Sequence, residues 1–446
     1  MKLVLCSRAE TKSHVEWVET ICQAGEIAKP VQVDMNQEAQ KMKKRIAFIV
    51  IIAAGTLWSP ISDAGTINSL EFIGQLKIPV DATFEGEPII GISGLARIGD
   101  TNQYYAISDD IQNSYYYKMQ IDINPGSSTP VSVSIISRQS FQNPNSPDGK
   151  FAPGSIDPEG IAFDGQNLLW TSESIGQTPT FIHQNAPDGS FIKSVVVDSK
   201  YDHTINQNPN GTPTQGVFPG GGFESLTITP DKNYLFAAPQ GTLAQDQGPS
   251  NSAVTGGEQA RIIKYGQDGG EWTSQAEYVY RVAPNDGEGA NSFADLLAID
   301  GNTLLALERE WLPTSTQPND KRDVKIYEIG LANATDVSDV ASLAGSDFTE
   351  VAKSLILDLD DVRNADNGVD GISSFEAMIL GQMLGDGRQT LILFGDNDGW
   401  DDHQILVFAI NSDLLATPIP ASLPLFATAL SLCAVIAGRR RRAKDA

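Results

Sequence analysis

The stretch "DPEGIAFDGQNLLWTSES" (Asp157–Ser174) has a counterpart in "GGFESLTITPDKNYLFAAPQ" (Gly221–Gln240). In both, a glutamate precedes a short apolar run, a turn rich in Gly, Asp and Asn follows, and a second apolar run comes after it. Short alternating runs around a tight turn predict a β-hairpin rather than a helix. A hairpin that recurs within one chain predicts a repeat architecture.

Three further stretches follow the same pattern. They are "GISGLARIGDTNQYYAISDD" from Gly91, "SFADLLAIDGNTLLALERE" from Ser292 and "SFEAMILGQMLGDGRQTLILFGDND" from Ser374. Strand pairs such as "ARIIKYG" and "AEYVYRV" lie between the hairpins, so each module has four strands. Four-stranded modules repeated four to eight times are typical of a β-propeller. The sequence therefore predicts an all-β propeller with five visible blades; a sixth blade in the long inter-hairpin segments and two stacked sheets are the alternatives.

The last module contains only three strands and ends in "QILVFAI" (Gln404–Ile410). The stretch "SLEFIGQLKIP" (Ser69–Pro79) is the one strand near the start of the domain without a hairpin partner. We therefore predict that this N-terminal strand completes the last blade and closes the ring.

The N-terminal region has the pattern of a secretory signal. Residues 42–64 contain a basic start (Lys43–Arg45), an apolar segment (Ile46–Trp58) and a small-x-small site at Ser62–Ala64. This order is typical of a signal peptide, and the apolar segment is short for a membrane anchor, which is the alternative. We interpret residues 1–41 as an over-extended start outside the fold, and residues 65–417 as the folded domain.

Residues 418–446 have the pattern of a sorting signal. An apolar segment follows Pro418, Pro420 and Ala421 and runs to Ala437. Four arginines, Arg439–Arg442, come after it, which is a stop-transfer arrangement. The order of parts resembles the PEP-CTERM sorting signal of Gram-negative bacteria. The resemblance implies export, a transient transmembrane anchor and processing by a C-terminal sorting protease, followed by release or attachment at the cell surface. A permanent one-helix anchor is the alternative.

The net charge and the positions of the cysteines limit the partners and the chemistry that the domain can have. The chain has 31 Lys and Arg against 56 Asp and Glu, a net charge of −25. Such a charge repels nucleic acid and anionic membranes, so we expect no nucleic-acid partner, and we expect a monomer. The three cysteines, Cys6, Cys22 and Cys433, lie outside residues 65–417, which excludes a disulfide, a thiolate metal site and a cysteine nucleophile from the domain.

The hairpins place acidic residues in register. The first strand of each blade lines the channel of a propeller and the second returns beside it, so the start of one and the end of the other share one mouth. The first position, at the start of the first strand of each blade, holds Ser93, Glu159, Glu224, Asp295 and Glu376. The second position, at the end of the second strand, holds Asp109, Glu173, Pro239, Arg309 and Asp396, with Asp110, Glu308, Asn397 and Asp398 beside it.

A ring of like charges is costly and needs protonation, Arg309 or a cation. Calcium suits it, because calcium takes six to eight oxygen ligands. Zinc does not, because His183, His203 and His403 show no ligand spacing. Of these, His183 is expected to be structural and His403 is the candidate functional histidine. We predict a calcium site with Asp109, Glu173, Asp396 and Asp398 as ligands; the alternative is that each acid caps blade backbone.

The order of motifs resembles the bacterial phytase-like family, the "esterase-like activity of phytase" domain. The resemblance covers Gly91–Ile410 and rests on segments such as "DPEGIAF", "GGFESLTITPD" and "LFGDND". The chain departs from the family pattern at Ser108–Asp110, where an acid replaces a frequent arginine, and at Pro239–Gln240 and Phe375–Ala377. The resemblance implies hydrolysis of phosphate esters or other esters at the channel mouth.

Two functions follow. The first is an exported, calcium-assisted ester hydrolase acting on a small anionic substrate, in which Arg309 binds the anion and a glutamate acts as base. Its candidate catalytic residues are Glu159, Glu224, Glu308, Arg309 and Glu376. The second is a non-catalytic propeller of the cell surface or extracellular matrix that binds calcium and exopolysaccharide. Basic residues converging beside the metal favour the enzyme, and a filled or flat mouth favours the binding protein.

Overall fold

The structure is a computed structural model that describes residues 67–247, 259–284, 290–311, 322–364, 367–369, 371–397 and 401–412. The predicted over-extended start, signal peptide and C-terminal sorting segment lie outside the described residues, and so does Asp398. In the described ranges, no helix has the length and hydrophobicity needed to cross a membrane.

Five four-stranded antiparallel sheets form the blades of a β-propeller, as the sequence predicts. The chain enters through β1 (Ile67–Ile78) and the small hairpin of β2 (Thr83–Phe84) and β3 (Glu87–Pro88). Blade 1 comprises β4 (Ile92–Arg97), β5 (Gln103–Ser108), β6 (Tyr115–Ile123) and β7 (Val131–Ser140). Blade 2 comprises β8 (Asp157–Phe163), β9 (Leu168–Glu173), β10 (Phe181–Asn185) and β11 (Phe191–Val195).

Blade 3 comprises β12 (Phe223–Ile228), β13 (Tyr234–Pro239), β14 (Gln259–Asp268) and β15 (Glu271–Arg281). Blade 4 comprises β16 (Ala290–Ala298), β17 (Thr303–Trp311), β18 (Arg322–Gly330) and β19 (Ala352–Asp358), followed by the short helix α1 (Leu359–Asn364). Blade 5 comprises β20 (Ser374–Met383), β21 (Gln389–Asp396) and β22 (His403–Ser412).

The strand β1 completes blade 5. It pairs antiparallel with β22, with Leu70 opposite Ile410 and Leu76 opposite Ile405. The predicted closure of the ring by the N-terminal strand is therefore confirmed. Because the first and last strands of the domain are hydrogen-bonded to each other, the ring closes within one sheet and leaves no unpaired seam between its ends.

The apolar core lies between adjacent blades. Trp170 of β9 stacks on Phe141, which follows β7, with ring centroids 4.2 Å apart. On the other side of blade 1, Tyr104 and Tyr117 pack in one cluster with Val407 of blade 5. Each blade is therefore buried on both faces, which accounts for the near-continuous apolar runs in strands such as β21 and β22.

A buried ionic network fixes the outer part of blade 3. Arg261 of β14 is fully buried and donates to both carboxylate oxygens of Asp246 at 2.7 and 2.9 Å. It also donates to Glu277 of β15 at 3.1 Å, and Lys200 lies 3.0 Å from the other oxygen of Glu277. The two acids and two cations compensate one another, because none of them is solvated enough to stand alone.

The inner strands approach closely around the channel. Strands β4, β8, β12, β16 and β20 are each the end strand of a sheet, so each presents one edge to the channel. A Cβ atom on Gly160 of β8 would lie 2.5 Å from the backbone nitrogen of Leu226 in β12. Only glycine permits this approach of neighbouring blades at the middle of the channel.

Candidate functional site

The residues at the predicted first position stand at irregularities of the inner strands. In four blades the register between the first and second strands shifts at this point. A β-bulge leaves a residue out of the ladder and re-aims its side chain, which explains why the acids interrupt otherwise apolar strands. The residues passed over by these shifts are Ser93, Glu159 with Gly160, Glu224 and Glu376.

Blade 4 differs from the prediction by one residue. The register of β16 and β17 shifts between Phe293 and Asp295, so the bulged residue is Ala294. Asp295 instead accepts hydrogen bonds from the backbone of Leu296 at 2.8 Å and of Met378 in blade 5 at 2.7 Å. It is buried and links two blades, so the assignment of Asp295 to the ring position is wrong.

Blade 2 contributes one group of carboxylates. Oxygen atoms of Asp157, Glu159 and Glu173 lie within 4.8 Å of one another. Ser93 of blade 1 donates a hydrogen bond to Glu159. Among the described residues, Glu173 Oε1 is buried and receives no N–H or hydroxyl hydrogen bond. Asp157 was missed in the sequence, although it stands opposite Glu173 in the predicted hairpin.

Blades 1 and 5 contribute a second group. Oxygen atoms of Asp109, Glu376 and Asp396 also lie within 4.8 Å of one another. Gly91 makes room for the first of these, because it has φ 60° and a Cβ atom there would lie 1.6 Å from Asp109 Oδ1. The structure thus brings together the predicted residues of three blades: Asp109, Glu159, Glu173, Glu376 and Asp396. We call this end of the channel, with both groups and Glu224, the acidic mouth.

Two arginines reach the acidic mouth. Arg309 of β17 donates to Glu376 and to the hydroxyl of Ser374. Arg322, the first residue of β18, has its Nε 3.5 Å from the same hydroxyl. Arg309 was predicted from the end of its hairpin, whereas Arg322 belongs to a third strand whose register the sequence does not reveal. The two guanidinium groups therefore converge on Ser374, beside the second carboxylate group.

Burial raises the pKa of the acids at the acidic mouth. It raises the pKa of Glu173 to about 9, with the Glu224 charge adding to the effect. It raises the pKa of Glu224 to about 7, against the opposing effect of Arg309. The pKa of Asp157 rises to about 6, and that of Glu159 lies well above its ordinary value. Without a bound cation, Glu173 is therefore protonated at neutral pH, and Glu224 titrates near it, where general acid–base catalysis is most effective.

Glu308 lies apart from the acidic mouth. It precedes Arg309 in β17, and successive side chains of a strand point to opposite faces. Its carboxylate accepts from the Tyr280 hydroxyl at 2.5 Å and from the Ala283 backbone at 3.1 Å, and Lys353 also donates to it. These contacts join blades 3 and 4, and the structure brings Glu308 into neither carboxylate group.

His403 and His183 also lie within blades. The ring nitrogens of His403 are 3.1 Å from the Gly395 carbonyl and 3.3 Å from the Ile89 carbonyl, and the side chain is fully buried. His183 stacks on Phe181 with ring centroids 4.0 Å apart.

Both carboxylate groups consist of oxygen ligands alone, which fits calcium and not zinc. The buried Glu173 oxygen without an N–H or hydroxyl donor is consistent with a cation there.

The fold and the site together define a five-bladed β-propeller protein with a carboxylate-rich channel mouth. The chain belongs to the phytase-like family, described as "Esterase-like activity of phytase", whose sequence profile matches residues 87–399. No functionally curated protein matches the sequence.

Solved structures of other proteins align with the chain at low similarity. An oligogalacturonate lyase from Vibrio parahaemolyticus is 11% identical, with 75% of this chain and 79% of that chain covered and a TM-score of 0.28. A member of the DUF4221 family from Bacteroides vulgatus is 11% identical, with 78% and 99% covered and a TM-score of 0.31. The Cps50 (Swd1) β-propeller domain from Myceliophteria thermophila is 9% identical, with 72% and 100% covered and a TM-score of 0.28.

Proposed function

We propose that the protein is a calcium-assisted hydrolase of phosphate esters or other esters that acts at the acidic mouth. The observation that carries the proposal is the meeting of two three-carboxylate groups with Arg309 and Arg322 at one end of the channel. Carboxylates without nitrogen or sulfur ligands suit calcium. Guanidinium groups suit the planar, bidentate recognition of a phosphate or carboxylate.

Each residue has a chemical role in this proposal. Arg309 and Arg322 orient the anionic group of the substrate near Ser374. Glu224, whose pKa is about 7, is the candidate base. Glu173 beside it holds a proton at neutral pH while no cation is bound, and would release that proton on ligating calcium. Bound calcium would supply Lewis-acid polarisation of the ester oxygen and a more acidic bound water.

Export is part of the proposal. It rests on the signal-peptide pattern of residues 42–64 and the PEP-CTERM-like pattern of residues 418–446. We expect the exported protein to begin near Gly65 and to lack Arg439–Arg442. Intact-mass measurement of exported material tests this, and a mass that includes Met1 or the arginine cluster contradicts it.

The second candidate function is a non-catalytic propeller that binds calcium and a carbohydrate at the cell surface. One observation favours it: Arg309 is already paired with Glu376, which neutralises the cation that would bind an anionic substrate. In a catalytic site this pair has to open or accept calcium before the anion can bind.

The two functions are separated by measuring calcium binding and hydrolysis in the same samples. Melting temperature and the hydrolysis of p-nitrophenyl phosphate and p-nitrophenyl acetate are followed in calcium and in EGTA. A cation that binds only the folded state stabilises it by about 2.7 kcal/mol at a hundred times its Kd. We expect calcium to raise the melting temperature and to be required for hydrolysis of at least one ester.

Three variants assign the effect to the acidic mouth. Glu376→Gln should weaken the calcium response, and Arg309→Met should reduce hydrolysis while calcium still stabilises the protein. Glu87→Gln is the matched control, because Glu87 is exposed on the small β2–β3 hairpin. Calcium binding without hydrolysis would establish the second function, and a protein that ignores both calcium and EGTA would contradict both.

A further inference from the structure

The end of the channel opposite the acidic mouth holds a cavity of about 180 Å³. It is lined by the second halves of the inner strands and by the turns that follow them, including residues 94–97, 160–163, 226–228, 295–298 and 378–380. Leu95, Ile161, Leu226, Leu297 and Met378 give it an apolar interior. An apolar cavity of about 150 Å³ is enough to bind benzene, so this one accommodates a ring or a short alkyl chain.

Two cations stand at the rim of this cavity, Arg97 after β4 and Lys232 in the β12–β13 turn. Arg97 uses its Nε to donate to the Thr101 carbonyl at 2.8 Å. Within the described residues, neither side chain forms an ion pair, and Lys232 Nζ makes no hydrogen bond. Asp100, Asp164 and Asp231 favour the charged form of Lys232 without pairing with it, so a bound anion would compensate this half-buried ammonium group more fully.

The backbone at Lys232 is itself unusual. Its φ is 63°, in the left-handed region that a lysine rarely adopts, and its backbone nitrogen donates to the Thr229 carbonyl at 2.8 Å. Strained residues of this kind cluster at ligand sites. Burial lowers the pKa of Lys232, with Asp164 acting in the opposite direction.

Of the three nearby acids, Asp164 and Asp231 are engaged in their own turns, and Asp100 is an exposed residue of the cavity rim. Asp164 accepts hydrogen bonds from the backbone of Gln166 at 2.8 Å and of Asn167 at 2.7 Å. Asp231 accepts from the backbone of Asn233 at 3.0 Å and from the Thr229 hydroxyl at 2.6 Å. These carboxylates stabilise the turns and leave Arg97 and Lys232 to face the cavity rim.

We propose that this cavity is a second binding site, for a small organic carboxylate. The apolar body of the ligand lies among the inner strands, and its carboxylate lies between Arg97 and Lys232. The site shares none of these side chains with the acidic mouth, so it goes beyond the proposed hydrolase function and stands without it.

Benzoate and hexanoate are suitable probes, and binding is measured by isothermal titration calorimetry of the full chain in EGTA. Working in EGTA separates this site from the proposed calcium-dependent one. We expect both carboxylates to bind, and benzyl alcohol and acetate to bind at least tenfold more weakly, because one lacks the charge and the other the apolar body.

Lys232→Gln should weaken benzoate binding at least fivefold, because it removes the charge and keeps the side-chain length. Ala298→Leu should abolish binding, because Ala298 lines the cavity and the larger side chain would fill it. Lys150→Gln, on an exposed loop, is the matched control and should bind as the wild type does. If benzoate does not bind at 50 mM, or binds Lys232→Gln as well as the wild type, the proposal is wrong. Equal binding of benzyl alcohol and benzoate would also overturn it, since the two cations would then have no role.

Discussion

Raising the pH from 7 to 9 in calcium-free buffer should destabilise the protein through one buried carboxyl, that of Glu173. Its pKa is 4.5 in an unfolded chain and about 9 in the folded protein, chiefly because of burial. A carboxyl with a raised pKa binds more protons in the folded than in the unfolded state. Its stabilising effect is therefore complete below the unfolded pKa and is lost progressively as the pH rises toward the folded pKa.

The magnitude follows from the pKa. Between pH 7 and 9 the carboxyl is ionised throughout in the unfolded chain, and in the folded protein it changes from protonated to half-ionised. At about 1.4 kcal/mol per pKa unit, this window removes about 2 kcal/mol from the free energy of unfolding. For a domain of this size that corresponds to a fall of roughly 4 °C in melting temperature.

The assay compares the wild type with Glu173→Gln at each pH in EGTA. The protonated carboxyl of Glu173 donates a hydrogen bond to Glu224, and the amide, which has the same shape, can donate in the same way. Because the amide does not titrate, the pH dependence of the stability difference between the two proteins reports on Glu173. We expect the variant to be more stable already at pH 7, by about 3 kcal/mol, and the difference to grow by about 2 kcal/mol between pH 7 and pH 9. Parallel loss of stability in the two proteins would refute the reasoning, since Glu173 would then be ionised already at pH 7.

Three further substitutions test the architecture of the site and its support. Gly91→Ala should raise the Kd for calcium at least tenfold in a calorimetric titration, because the added Cβ occupies the space of Asp109 at a positive φ; an unchanged Kd contradicts the second carboxylate group. Asp295→Asn should cost about 1 to 3 kcal/mol in urea unfolding, because the amide cannot accept both backbone hydrogen bonds; a loss below about 0.5 kcal/mol argues against this link between blades. Arg261→Met should cost about 3 to 5 kcal/mol in the same assay, because it leaves Asp246 buried without its partner; a neutral effect refutes the network.

Most of the fold could be predicted from the sequence because its information is local. The turn after Phe163 and the turn after Ile228 each separate two apolar runs, and hairpins of this kind depend on neighbouring residues only. The closing strand was found by counting, since the last blade had three strands and β1 had no other partner. The number of blades followed from the same repetition.

The site was less predictable because it depends on single-residue register and on contacts between blades. Asp295 stands one residue beyond the bulge in blade 4. Only an alignment of Phe293 with Phe223, the residue before the bulge in blade 3, would have placed Ala294 at the bulge of blade 4. Arg322 reaches Ser374 from a third strand of the neighbouring blade. No spacing within one hairpin encodes such a contact.

The irregularity of blade 4 gives the acidic mouth its chemical asymmetry. Glu173 and Glu224 are equally buried, with 6% and 7% of their surface exposed, yet the pKa of Glu173 is about 9 and that of Glu224 about 7. Burial acts on both, but Arg309 lowers the pKa of Glu224. Blade 4 has Ala294 at its bulge, where blades 2, 3 and 5 have a glutamate, and it contributes Arg309 to the mouth. Two neighbouring carboxyls with separated pKa values are what acid–base chemistry requires, and here Arg309, together with the hydrogen bonds that Glu224 accepts from Glu173 and Gln240, holds the pKa of Glu224 below that of Glu173.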